Sequence, residues 1–323
     1  MSPDGVVVAL GGHALLDPEG AGTVDDQRKQ LREGLRGVAE LARRGHRVAL
    51  THGNGPQVGH MLIRARAARG QAYDLPLDVC VAQSQGELGY LILQALRELI
   101  ATPVVAMITM VRVDATDPAL KAATKPVGPT MDAAEAAALR RQGVTVDVDP
   151  GRGPRRRVPS PLPRAILGLE SVRTLYDSGA VVVVGGGGGI PVVEVDGGRL
   201  VGIEAVVDKD HVACELALAL GADRLLNLTS VERVALHFRT PWETELATLS
   251  AAQASAYQAQ GHFAPGTMGP KIEAALRFLA ANPHGCVDIS TPARALDAWE
   301  GVAGTRILAE LPRAGAFPRA RST

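Results

Sequence analysis

Residues 181–191 read VVVVGGGGGIP, and no other stretch of the chain limits the possible folds as much. Four consecutive valines predict a strand buried on both faces. Five glycines then follow, where a turn needs one or two. A backbone without Cβ atoms adopts positive φ and approaches a ligand closely, at an entropic cost to stability. Ligands of α/β proteins sit outside the carboxyl ends of the strands. The stretch therefore predicts a strand that ends at a ligand, and a phosphate-bearing ligand suits it. A flexible linker would not run on into Ile190-Pro191-Val192-Val193.

The rest of the chain bounds this reading. With 323 residues, 46% of them hydrophobic, it can bury a core in one large domain or two smaller ones. Its formal net charge of +0 argues against nucleic acid as the main partner. Cys80, Cys214 and Cys286 lie far apart, with neither metal-ligand spacing nor a disulfide framework, which predicts buried thiols in a reducing compartment. The N-terminus lacks the pattern of a signal peptide, and no apolar run reaches membrane-spanning length. The expectation is a cytoplasmic protein with no membrane partner. Only Lys29, Lys121, Lys125, Lys209 and Lys271 among the 34 basic residues are lysine. An Arg-rich chain can keep Lys where a compact, rotatable ammonium is wanted. Asparagine is rarer still: Asn54, Asn227 and Asn282.

Hydrophobic periodicity predicts strands at 6–10, 47–51, 104–108, 181–184, 224–228, 286–289 and 305–308. Helices are predicted at 25–44, 56–69, 78–100, 164–178 and 208–220, with another ending near 281. A hairpin is expected around Asp196-Gly197-Gly198. Residues 110–163 differ in character, with scattered prolines, a short helix at 132–141 and a basic loop containing Arg152, Arg155, Arg156 and Arg157. They read as an excursion, a lid whose arginines form a solvated face. Strands alternating with helices predict an α/β sandwich with a largely parallel sheet.

Four glycine-rich strand ends point toward phosphate: Gly11-Gly12, Gly53-Asn54-Gly55, Gly185 to Gly189, and Gly266 to Gly269. None matches a Walker A or dinucleotide pattern. Asp208-Lys209-Asp210 and Pro270-Lys271 each place a lysine near a predicted helix start. Phosphoryl transfer asks the protein for in-line positioning and for neutralisation of moving charge. Two ammonium groups on different loops would bracket a phosphoryl, with Asp210 holding their geometry. Spacing alone equally allows ordinary surface ion pairs.

At these residues the chain resembles the carbamate kinases of the amino-acid kinase family. The matching segments include His52-Gly53-Asn54-Gly55-Pro56-Gln57-Val58-Gly59, Ser84-Gln85-Gly86, Thr124-Lys125-Pro126-Val127-Gly128-Pro129, Glu204 to Asp210, and Gly261 to Lys271. They span nearly the whole chain in family order. The resemblance implies a three-layer αβα sandwich, one amino-acid kinase domain over 1–323 with the 110–163 lid inserted in it, and usually a homodimer. It implies reversible phosphoryl transfer between ATP and carbamate, giving ADP and carbamoyl phosphate, with Mg²⁺ carried by the nucleotide's phosphates, and it points to arginine metabolism. Lys209 and Lys271 would stabilise the phosphoryl, Asp210 would orient them, and Lys125 would close over the site. Gly11, Gly12, His13, Gly53, Asn54 and Gly55 would form the phosphoryl and acceptor end. Gly186, Gly187, Gly188, Thr229, Val231, Phe263 and Met268 would line the nucleotide.

The sequence also departs from the family pattern. His13 stands where the family has Asn, Thr130 where it often has Phe, and Pro154 where it often has Trp. Histidine is bulkier than Asn and titratable. Two alternatives therefore stay open: a related kinase with a diverged small acceptor, and an inactive nucleotide-binding regulator.

Overall fold

A computed structural model describes residues 4–12, 23–149 and 153–311. The centre is β1 (Gly5–Leu10), buried along its whole length, with β2 (Arg47–His52) and β12 (Arg224–Leu228) parallel on its two sides. The eight-stranded sheet continues outward through β9 (Val181–Val183) to β3 (Val104–Ala106). On the other side it runs through β16 (Cys286–Ser290) and β17 (Thr305–Leu308) to β15 (Thr248–Ser250). Within this sheet, among the described residues, only the β16–β17 pairing is antiparallel.

Valine-rich strands suit this position because both faces are covered. Val7 and Ala9 of β1 pack with α7 (Lys209–Leu220) and α9 (Met268–Ala281). Val6, Val8 and Leu10 face the other way, onto α1 (Val24–Gly34), α2 (Arg36–Arg43), α4 (Leu77–Leu99) and α10 (Ala295–Glu300). The result is helix, sheet, helix, the αβα sandwich expected.

Two predicted helices change. The one at 25–44 breaks at Leu35 into α1 and α2. The one at 164–178 loses its first turn to strand β8 (Pro163–Ile166), and only α6 (Leu169–Asp177) is helical. Gly168, at φ 76°, caps α6 in a left-handed conformation that a continuous helix cannot contain.

The residues at 110–163 divide between two smaller sheets. Their ends, β4 (Met110–Val113) and β8, join β10 (Ile190–Val195) and β11 (Arg199–Gly202) in the order β11-β10-β4-β8. The middle forms β5 (Ala123–Val127), α5 (Ala133–Arg141), β6 (Val146–Asp149) and β7 (Gly153–Pro159), with strand order β5-β7-β6. The arginines there are not a solvated face. Arg155 is buried and its Nε donates to the Gly128 carbonyl at 2.9 Å, while Arg156 reaches Glu204 at 3.3 Å. A planar guanidinium satisfies backbone carbonyls that a bent chain leaves free. Arg152 lies outside the described residues.

All three cysteines are buried and free, and burial pushes Cys80 up to about 11 and Cys214 and Cys286 up to about 12. No described helix is long and apolar enough to cross a membrane.

Candidate active site

The parallel strands deliver their ends to one edge of the sheet, where α7 and α9 begin. Asp208 caps α7: its Oδ1 accepts from the Asp210 N–H at 2.9 Å. Lys209 and Asp210 therefore open the helix. Lys271 stands in the first turn of α9. The two lysines, 62 positions apart in sequence, meet on one carboxylate: Lys209 Nζ donates to Asp210 Oδ1 at 2.5 Å, and Lys271 Nζ donates to Oδ2 at 2.9 Å. Lys271 also donates to the Thr267 carbonyl at 3.4 Å. Lys125, from β5, ion-pairs with Asp208. Three of the five lysines thus converge from three separate segments on two neighbouring carboxylates, with one unit of positive charge in excess.

Burial decides the electrostatics. It opposes the charge on Asp210, but the Lys209 and Lys271 ammonium groups outweigh it and hold the carboxyl well below the usual range. Burial pulls Lys209 down against the attraction of Asp210, and Lys271 adds repulsion. Lys271 feels the same burial, yet the charge and hydrogen bond of Asp210 leave it raised. In such a buried cluster the Asp210 charge is stranded only if both lysines are lost, and either one alone still leaves it a partner.

Gly12 and Gly53 meet beside this cluster. A Cβ on Gly53 would lie 2.6 Å from the Gly12 nitrogen and 3.5 Å from Lys209 Cδ. The Gly11 N–H donates to the Leu228 carbonyl at 2.7 Å, which ties the end of β1 to the end of β12. Gly55 opens α3 (Gly55–Ala67). Asn54 turns inward, donating through Nδ2 to Ser84 Oγ at 2.8 Å. His13 lies outside the described residues.

The five-glycine turn is buried throughout. A Cβ on Gly186 would fall 2.3 Å from His52 Nε2, one on Gly187 2.0 Å from Asn54 Nδ2, and one on Gly188 2.0 Å from the Val207 carbonyl. Thr51 Oγ1 donates to the Gly185 carbonyl at 2.8 Å, and Gln85 Nε2 to that of Gly186 at 2.9 Å. The turn is thus clamped by side chains from β2 and α4. His52 is enclosed, and burial pulls its imidazole down to about 4, so it is neutral.

Of the residues expected to line a nucleotide, Thr229 follows β12, its N–H donating to the Ser290 carbonyl at 2.7 Å. Val231 is partly exposed beyond it. The Phe263 side chain is buried in the core between sheet and helices, with Met268 partly buried against it. Sequence reasoning did not find Asp208 as the partner of Lys125, nor the Ser84, Gln85 and Thr51 contacts. The segment Ser84-Gln85-Gly86, already matched to the family, was the available signal for two of these. The described residues offer no group of three His, Cys, Asp or Glu side chains that could cage a metal.

Residues 4–287 match the amino acid kinase family. The chain is 42% identical over 315 residues to a carbamate kinase of Pyrococcus horikoshii, covering 94% of this chain and 99% of the relative. It is 43% identical over 311 residues to the carbamate kinase-like protein YqeA of Escherichia coli, covering 94% and 98%. The carbamate kinase from Giardia lamblia bound to AMP-PNP superposes with a TM-score of 0.86 at 37% identity, covering 95% of this chain and 99% of that one. With its lysine-bracketed carboxylate in place and these relatives spanning its length, the chain belongs to the amino acid kinase family, within its carbamate kinase branch.

Proposed function

We propose that this protein transfers a phosphoryl group reversibly between ATP and carbamate. The observation that carries the reading is the pair of buried ammonium groups, Lys209 and Lys271, fixed on one carboxylate with net positive charge beside backbone N–H groups. In the synthetic direction a carbamate oxygen forms a bond to the γ-phosphorus while the bond to the bridging oxygen of ADP breaks. Carbamate is already an anion, so no general base is required. Lys209 and Lys271 neutralise the charge that spreads over the equatorial oxygens, and Asp210 keeps both in place.

Lys125, parked on Asp208, supplies a third ammonium from the small β5-β7-β6 sheet, which acts as the lid of a single domain. The resemblance assigns Gly11, Gly12, Gly53 and Gly55 to the transferred group and His13 and Asn54 to the acceptor end. Thr229, Val231 and the 263–268 segment border the nucleotide, with Gly186 to Gly188 forming one wall. Asp208 and Asp210 are both engaged by lysine. Mg²⁺ therefore fits on the nucleotide's own phosphates, as suits an ion that keeps its waters, and there it neutralises phosphate charge. The resemblance supports a cytoplasmic homodimer.

The test is an assay of purified protein with Mg²⁺, ADP and carbamoyl phosphate, repeated on His13→Asn. Robust ATP formation, little changed in the variant, supports carbamate as the acceptor. Negligible ATP formation that His13→Asn restores, or a faster reaction with another small carboxylate, overturns carbamate in favour of a diverged acceptor. ADP binding without any transfer overturns the enzyme reading altogether.

A further inference from the structure

Asn227 is the penultimate residue of β12 and has no role in the site described above. Its neighbours in register are Ala9 on β1 and Ile289 on β16. Side chains alternate along a strand. Leu225, two residues earlier, lies in the core cluster with Ala213 and Ala217 of α7 and Ile272 and Ala275 of α9, so Asn227 faces that same helical layer. Its position along the sheet follows from the connections. α7 ends at Leu220 and β12 begins at Arg224, so the helix runs back along the strand and its first turn overlies the strand's last residues. α9 stands in the same relation to β16. Asn227 therefore lies on the floor beneath the turns that carry Lys209, Asp210 and Lys271.

The carboxamide is fully buried, and neither Oδ1 nor Nδ2 has a hydrogen-bond partner. Buried amides almost always have one, and where the protein supplies none an ordered water does. Such a water needs further polar partners, and its flanking neighbours Ala9 and Ile289 offer no side-chain polarity. Thr51 and Thr305 stand two strands away in the same row and already donate to the Gly185 and Leu246 carbonyls, which leaves the lysine cluster as the group of buried polar side chains at this edge that can take the water. Each Asp210 oxygen takes one lysine hydrogen bond and keeps a free lone pair.

We propose that Asn227 is a positioning residue: its carboxamide holds an ordered water that donates to the Asp210 carboxylate from beneath and fixes the bracket formed by Lys209 and Lys271. Asn227 touches no substrate. It limits the play of the carboxylate on which both ammonium groups are aimed, and small misplacements of such groups are costly in rate.

The role rests on the phosphotransferase reading only in its kinetic arm. Asn227→Leu keeps the shape and removes the polarity, and Asn227→Ser keeps a group that can hold water. Expected for Asn227→Leu is a thermal midpoint close to that of the native chain, because the carboxamide and its water leave together and an apolar group of similar shape takes their place. With it comes a fall in kcat of about tenfold with KM for ADP held within about twofold. Asn227→Ser should recover most of that kcat. A crystal structure of the native protein at better than about 1.5 Å should show a water bonded to both Asn227 and Asp210. Unchanged kcat in Asn227→Leu overturns the proposal, as does a loss that serine does not recover, or a native structure without that water. If Asn227→Leu does not fold, the serine variant and the native water decide. If the native enzyme proves inactive on carbamate, the function reading fails while the crystallographic and thermal arms still judge Asn227.

Discussion

The five-glycine turn and the lysine cluster adjoin one another, since Gly188 packs against Val207 and Asp208, yet they depend on opposite properties of their residues. In the turn, every Cβ position from Gly186 to Gly189 is already occupied by another part of the chain. Its contribution is shape, and it carries no charge. In the cluster, long side chains from three segments crowd onto Asp208 and Asp210, and their contribution is charge held in place. The turn should therefore fail through the fold, and the cluster through the chemistry.

The largest effect tests the cluster. Lys209→Ala and Lys271→Ala should each lower turnover by at least about 10²-fold, by loss of transition-state electrostatics. Circular dichroism should show the fold retained. Native-like turnover in both would break the assignment. On the other side of the comparison, Gly188→Ala places a Cβ 2.0 Å from a backbone carbonyl at φ +86°. A loss of about 3 kcal/mol in urea unfolding is expected, by backbone strain and clash. Native stability in that variant would mean that the turn is loosely held.

His52, at the end of β2, packs against the turn and links it to pH. Its folded value, about 4, lies below the ordinary 6.5, so the unfolded chain binds more protons at mildly acid pH. The stability tied to its neutral form is complete above pH 6.5 and is lost as pH falls toward 4, by about 3 kcal/mol. His52→Gln should flatten that limb of the stability–pH curve. An unaltered limb would assign the acid sensitivity to other groups. Smaller still, Lys125→Ala should act mainly on substrate binding, raising KM about tenfold with a modest change in kcat, as expected for uniform binding. The mildest change is Gly197→Ala, at φ +77° with open space around it, which should cost about 1 kcal/mol. The contrast between Gly197 and Gly188 separates backbone conformation from crowding.

Much of this was legible in the sequence, for identifiable reasons. Valine runs such as 181–184 and the alternation of strands with amphipathic helices gave the layered sheet, because local pattern decides which face is buried. Lys209 and Lys271 stood out because an Arg-rich chain retains so few lysines. What escaped depends on residues distant in the chain. Nothing near Lys125 names Asp208, 83 positions away, as its partner. Nothing in the glycine run shows that His52 and Asn54 fill the space it leaves. The helix expected across Gly168 failed for a local reason, a left-handed glycine within an otherwise helical pattern.

The buried cysteines have a practical consequence. Cys80 packs beneath the small β5-β7-β6 sheet, Cys214 is on the core-facing side of α7, and Cys286 begins β16. Thiolate, not thiol, is the reactive form, and all three are held as thiols. An alkylating reagent can reach them only when their surroundings open. The native chain thus carries three built-in clocks. The alkylation rate at each, read by mass spectrometry, reports how often the packing under the β5-β7-β6 sheet, α7 and the start of β16 breathe, with no label introduced.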